Sequence, residues 1–232
     1  MNIIITGASR GIGYETAKLL SAEHKVIAIS RNADKLKQAG IIPIVFDFEK
    51  GNIPKELLPQ IIRQLADQTV DVLINNAATF IKKPFDKITR EEFEKVYRVN
   101  IFAIAELTKC ILPLMTSLPM KKTKRAQTHV LNIASMGGIQ GSAKFSGLSA
   151  YSSSKGALIT LTECLAEEYK DATISFNCIA FGAVQTEMLA EAFPHFKAPI
   201  TAKEAAEFVA QFAITGQKYF NGKVLQMALS TP

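Results

Sequence analysis

The chain has 232 residues, of which 48% are hydrophobic and 21% charged, enough apolar material for a full core. Its formal net charge of +6 is too modest to argue for a nucleic-acid partner. No apolar run reaches the ~18 residues of a membrane span, and the start "MNIIITGASRG" has no basic n-region and no long apolar h-region, so a cytoplasmic protein without a membrane partner is expected.

Taken in chain order, "NIIIT" (2–6) is a short β-branched run ending at Gly7 and reads as a buried strand. A helical pattern follows from about Gly11 to Ser21. "KVIAIS" (25–30) is a second strand, and Asn32 is placed to cap a short helix after it. "IIPIVF" (41–46) is a third strand, a helix lies near 54–67, and "VDVLINN" (70–76) is a fourth strand. A long helical region runs from about Thr89 to Ser117, in one piece or two. "THVLNIA" (128–134) is a strand, 149–169 a helix and "ATISFNCIA" (172–180) a strand. A helix over 201–214 and a last strand, "GKVLQMAL" (222–229), complete the alternation.

Strands that are continuously apolar, separated by helices, predict a doubly wound parallel sheet with right-handed crossovers. The expected fold is therefore α/β and Rossmann-like, one domain spanning 1–232, with no linker or composition break. Ligands of such sheets bind at the carboxyl ends of the strands. Gly7, Asn75, Ser135, Tyr151 and Gly182 all follow a strand, or nearly so, and are expected to converge there.

Cys110, Cys164 and Cys178 are odd in number, lack CxxC spacing and lie in apolar surroundings, which predicts free buried thiols in a reducing compartment. His24, His129 and His195 are scattered without ligand spacing, and no metal is expected. "KKTKR" (Lys121 to Arg125) reads as a solvated loop or as a docking patch for an acidic partner.

The turn "TGASRGIG" (6–13) follows the first strand and opens the first helix, so its glycines allow a close backbone approach and the helix offers free N–H groups to a pyrophosphate. A fold of this kind that prefers NAD(H) carries a carboxylate at the end of its second strand for the ribose 2′-hydroxyl. Here that strand ends in Ser30 and Arg31, and Arg10 lies in the glycine turn. Two guanidinium groups suit a 2′-phosphate, so NADP(H) is expected over NAD(H). Tyr151 and Lys155 stand four apart on one helix face. An ammonium about 4 Å from a phenol stabilises the phenolate by roughly 4 kcal/mol at an effective dielectric near 20. That predicts a Tyr151 pKa drawn down towards neutrality, where a general acid/base works best.

Six segments together resemble the short-chain dehydrogenase/reductase family over nearly the whole chain: "TGASRGIG", "NNAA" (75–78), "VN" (99–100), "NIAS" (132–135), "YSSSK" (151–155) and "NCIAFGAVQT" (177–186). The resemblance implies an enzyme that interconverts a carbonyl and an alcohol by hydride transfer. Tyr151 would be the general acid/base, Ser135 would bind the substrate oxygen, Lys155 would hold the nicotinamide ribose, and Asn100 would anchor a water chain. It also implies cofactor contacts from Gly7, Ser9, Arg10, Gly11, Ile12, Gly13 and Arg31, from Asp47 and Phe48 at the adenine, from Asn76 and Ala77 along the ribose, and from Val184 and Thr186 near the carboxamide. Homodimers or homotetramers through second-half helices follow from the same likeness, with Ala157, Leu158, Leu161 and Leu165 as either a subunit face or core.

The chain departs from that pattern at Phe181, where proline is usual, in a lengthened "GGIQGSAKFSG" stretch between Ser135 and Tyr151, and in "MALSTP" at the end. Met136, Phe145, Leu148 and Phe181 predict an apolar substrate pocket, and the segment from Glu187 to Ile200 is either a packed short helix or a wall of that pocket. A 3-oxoacyl-carrier-protein reductase is one alternative, and a non-catalytic NADP(H) sensor is another.

Overall fold

The computed structural model describes residues 1–38, 40–66, 69–116 and 128–229. Its centre is a seven-stranded parallel sheet built from β1 (Asn2–Thr6), β2 (Lys25–Ser30), β3 (Ile42–Val45), β4 (Val72–Asn75), β5 (Thr128–Ser135), β6 (Ile174–Phe181) and β9 (Lys223–Met227), in the order β3-β2-β1-β4-β5-β6-β9. The helices are α1 (Gly11–Leu20), α2 (Asp34–Gln38), α3 (Leu58–Gln64), α4 (Arg90–Tyr97), α5 (Ala103–Thr116), α6 (Ser149–Glu168), α7 (Glu187–Ala192) and α8 (Ala202–Thr215). This is a single Rossmann-like fold, as the alternation predicts.

Period-two side-chain alternation builds two cores from the same strands. Ile3 and Ile5 of β1, Val26 and Ala28 of β2, and Val72 and Ile74 of β4 enter one cluster, beneath α1 and α8. Their intervening neighbours Ile4, Ile27, Ile29 and Leu73 enter the other, beneath α3 and α5. Both faces are covered, which is why these strands read as unbroken apolar runs. Each fully buried isoleucine contributes roughly 1.5–3 kcal/mol.

The structure refines several boundaries. The helix predicted near 54–67 starts as a π-helical turn, Ile53–Leu57, and ends at Gln64. The long helical region from Thr89 is two helices joined by a second π-helical turn, Arg98–Phe102. A two-residue pair, β7 (Val184–Gln185) with β8 (Ile200–Thr201), closes the base of the α7 segment and has no periodic signature in the sequence. Cys178 is buried, but Cys110 is only half-buried and Cys164 is exposed, because α6 turns that side away from the sheet; the expectation of three buried thiols is corrected. Lys121 to Arg125 lies outside the described residues, as do the last three residues of "MALSTP". Among the described residues no helix is long and apolar enough to cross a membrane.

His129 is fully buried on β5 and is part of the scaffold. Its Nδ1 lies 3.0 Å from the Ala213 carbonyl, so that nitrogen carries the proton, and its Nε2 accepts from Asn177 Nδ2 at 3.0 Å. Burial pushes its pKa down to about 4, against the opposing backbone bond. Between about pH 6.5 and about pH 4 the unfolded chain therefore binds a proton that the folded chain does not, and stability falls as pH falls through that window. Denaturant unfolding at pH 5 is expected to lose about 2 kcal/mol from this residue relative to pH 7. A His129→Gln variant should lack that part of the pH dependence.

Candidate active site

The carboxyl ends of β1 and β4 are tied together by side chains. Thr6 Oγ1 accepts from the backbone N–H groups of Asn76 and Ala77, each at 3.0 Å. Asn76 Nδ2 donates to the carbonyls of Thr6 at 3.1 Å and Gly7 at 3.0 Å. Gly7 adopts φ 69° with its Cα against the segment that follows β4, and a Cβ there would lie 2.7 Å from Ala77 Cα. Gly13 was expected on the cofactor side, but it lies under the turn. A Cβ at that position would sit 2.3 Å from Asn76 Nδ2 and 2.5 Å from Gly7 O, so its smallness lets α1 pack on the strand ends. Asn75 is likewise beneath the edge, fully buried, donating to Asn132 Oδ1 at 2.9 Å.

At the ends of β5 and α6, Ser135, Tyr151 and Lys155 meet. Ser135 Oγ accepts from Gly137 N at 3.2 Å and sits beside the Tyr151 hydroxyl, whose ionised form it favours. Lys155 is a fully buried lysine whose Nζ donates to the Ile133 carbonyl at 2.8 Å and lies 5.8 Å from the Tyr151 ring centroid. The expected lowering of the Tyr151 pKa is not found. Burial pushes the phenol up to about 12, with Ser135 opposing, and burial pushes Lys155 down to about 8. The ammonium is turned to a carbonyl on β5, and desolvation is the largest influence on both groups.

Asn100 does not reach the cleft wall. It sits fully buried on the π-helical turn, accepting from Thr79 N at 2.9 Å and donating to Thr79 O and to Ser154 Oγ, each at 2.9 Å. Ser154 in turn donates to the Tyr151 carbonyl at 2.7 Å. The last serine of "YSSSK" is thus the link between Asn100 and the Tyr151 helix, a role its sequence position does not advertise. Gly138 and Gly156 were also missed. A Cβ on Gly138 would lie 2.6 Å from the Lys155 carbonyl carbon, so this glycine sets the closeness of the Ser135 turn to α6. The only signal was a Gly-Gly pair soon after the serine and a glycine directly after the lysine.

A glycine turn against a strand-end asparagine, with serine, tyrosine and lysine gathered on the neighbouring elements, is a family signature, and residues 1–196 match the family described as short chain dehydrogenase. The chain is a short-chain dehydrogenase.

A ketoacyl reductase, HetN, of Nostoc sp. is 32% identical over 80% of this chain, and the match covers 64% of that longer protein. Pig carbonyl reductase (NADPH) 2 is 28% identical, over 81% of this chain and 73% of that one. A solved Shigella flexneri structure described as a short chain dehydrogenase complexed with NADP superposes with a TM-score of 0.84 at 24% identity, covering 97% of this chain and 95% of that one. The family is one of oxidoreductases that bind a nicotinamide cofactor and act on small molecules.

The cleft of this short-chain dehydrogenase has two zones. One is walled by Gly7, Ser9, Arg10, Gly11, Ile12, Arg31, Asp47, Phe48, Asn76 and Ala77, and on its far side by Val184 and Thr186, all expected from the sequence. Asp47 also caps its turn, accepting from Glu49 N at 2.9 Å. The other zone is apolar. Phe80, Met136, Phe145, Leu148, Phe181, Met188, Leu189 and Phe193 line the cleft together with Tyr151. Phe80 meets the Tyr151 ring edge-on with centroids 6.5 Å apart, and Phe145 from the lengthened loop meets Phe193 from the α7 segment at 5.6 Å. The loop folds back on itself through Lys144 Nζ, which donates to Ile139 O at 2.6 Å. Phe196, from the same segment as Phe193, does not line it. On α6, Leu158 belongs to the core and Leu165 packs against it, while Ala157 and Leu161 are half-buried.

Proposed function

We propose that the chain, acting as one domain over 1–232, is an NADPH-dependent reductase of uncharged, apolar ketones or aldehydes, with Tyr151 as the proton donor. The observation that carries the reading is the Ser135–Tyr151–Lys155 group at the meeting point of the glycine-turn zone and the apolar zone.

The residues present fit a nicotinamide dinucleotide phosphate. α1 opens at Arg10 with no side-chain cap and no acidic residue in its first turn, so its leading N–H groups await an outside acceptor. Gly7 and Gly11 bring backbone to that wall at positive φ. Arg10 and Arg31 flank the place where an NAD(H) site would carry a carboxylate. When bound, the nicotinamide supplies the hydride.

The chain's own residues do the rest. Ser135 donates to the substrate oxygen, which gains negative charge during reduction. Tyr151, with a pKa pushed up to about 12, is a neutral phenol at physiological pH and holds a proton ready for that oxygen. Lys155 holds the ribose and keeps a positive charge behind the phenol. Asn100, fixed by Thr79 and Ser154, anchors proton resupply from behind. The four phenylalanines exclude water and orient an apolar substrate. A homodimer or homotetramer, with the half-buried Ala157 and Leu161 on the contact, belongs to the same reading.

The ketoacyl-reductase name of the Nostoc relative favours a second reading, with 3-oxoacyl groups as substrate. The test is calorimetric titration with NADPH and with NADH, followed by NADPH oxidation against aryl and alkyl ketones, aldehydes and 3-oxoacyl thioesters. Tight binding of NADPH with turnover of uncharged ketones is the expected result. Preference for NADH would remove the arginine argument, and turnover of 3-oxoacyl thioesters alone would establish the second reading.

A further inference from the structure

α7 carries two carboxylates four residues apart, Glu187 and Glu191, and hence on one side of the helix. Both meet the glycine turn. Glu191 Oε1 accepts from Arg10 Nη1 at 2.6 Å. Glu187 reaches the start of α1, where a Cβ on Gly11 would lie 3.6 Å from its Oε2. The short helix that carries Met188 and Leu189 of the apolar wall therefore also lays acidic groups along the glycine-turn rim of the cleft.

We propose that Glu191 is a specificity-determining residue, which competes with the 2′-phosphate of NADP(H) for Arg10 and so narrows the preference for NADPH over NADH. The inference rests on the reading of this cleft as an NADP(H) site. A carboxylate and a phosphate monoester are alternative acceptors for the same guanidinium donors. A 2′-phosphate entering beside Arg10 either displaces Glu191 or stands next to its negative charge, and each course weakens binding. NADH carries only a hydroxyl there, makes no claim on Arg10 and leaves the pair intact. Glu187 faces the part of the turn that receives the pyrophosphate, which the two cofactors share, so its charge acts on both alike.

Arg10 and Glu191 are about half exposed, with side-chain accessibilities of 44% and 51%, so the effect is that of a solvent-screened pair. Calorimetric titration of the full chain with NADPH, NADH and 2′,5′-ADP reads it directly, and 2′,5′-ADP serves as a probe with the ribose phosphate but no nicotinamide. Glu191→Gln is expected to tighten NADPH and 2′,5′-ADP by about two- to five-fold and to leave NADH unchanged. The gain should vanish in an Arg10→Gln background. Glu187→Gln should shift NADPH and NADH by the same factor. Equal tightening of NADPH and NADH by Glu191→Gln, no change, or weaker NADPH binding (Glu191 then orienting Arg10) would each overturn the inference. If the unaltered chain, folded by circular dichroism, binds neither NADPH nor 2′,5′-ADP, the NADP(H) reading fails and the inference falls with it.

Discussion

Tyr151→Phe is expected to lower carbonyl turnover by about 10²–10⁴-fold while cofactor binding persists. The substitution removes one hydroxyl and keeps the ring, so the edge-on contact with Phe80 and the course of α6 are retained. What is lost is the proton donor and the neighbour of Ser135. The Ser135 hydroxyl remains able to donate to a substrate oxygen, which leaves residual stabilisation and keeps the loss from being total. Steady-state reduction at saturating NADPH, with calorimetry on the same preparation, checks both halves. Loss of turnover with intact binding supports the acid role. Unchanged turnover would move the proton transfer to another group. A cellular role that survives the substitution would instead favour the non-catalytic sensor.

Gly138→Ala is expected to damage the site without touching any reacting group. The new Cβ would lie 2.6 Å from the Lys155 carbonyl carbon, 2.7 Å from Gly156 N and 2.9 Å from Lys155 O. All three are backbone atoms, so no side-chain rotation relieves the clash. Either the Met136–Gly138 turn lifts and takes Ser135 with it, or α6 retreats and takes Tyr151 and Lys155. A displacement of that order costs roughly 10²-fold in rate. Overpacking adds about 1–3 kcal/mol of destabilisation, readable by denaturant unfolding. Gly156→Ala is the comparison: its Cβ would meet Gly138 O at 3.3 Å, a contact that a few tenths of an ångström relieve, so its losses should be clearly smaller. Equal losses in the two variants would mean that helix propensity or local strain, rather than the approach of turn to helix, governs this region.

The elements that position the site were legible because burial on both faces makes a strand an unbroken apolar run, as in "NIIIT" and "THVLNIA". The glycine turn and the "YSSSK" pair were legible because their chemistry is local to a few residues. What escaped the sequence is what depends on distance in space. Ser154 looks like any small helix residue until Asn100, 54 positions away, is seen to donate to it. Arg10 reads as a free phosphate ligand until Glu191 arrives from another loop. Gly13 scans as part of a binding fingerprint, yet its neighbours are Asn76 and Gly7 O. The direction of the Tyr151 shift failed for the same reason: spacing along a helix gives proximity to Lys155, but not how deeply both are buried or where the ammonium points.

The register of the sheet has a practical consequence. The strand order reverses between β1 and β4, and the backbone ladder joining the two halves there is short: Ile3 with Val72, Ile4 with Leu73 and Ile5 with Ile74. The Thr6 and Asn76 bonds continue that join to the floor of the cleft. A molecule lying across it acts as a staple between halves, and any ligand that binds only the folded chain raises its stability by about 2.7 kcal/mol at a hundred times its Kd. Thermal melting thus gives a way of finding this protein's small-molecule partners by heat alone, without first knowing what it turns over.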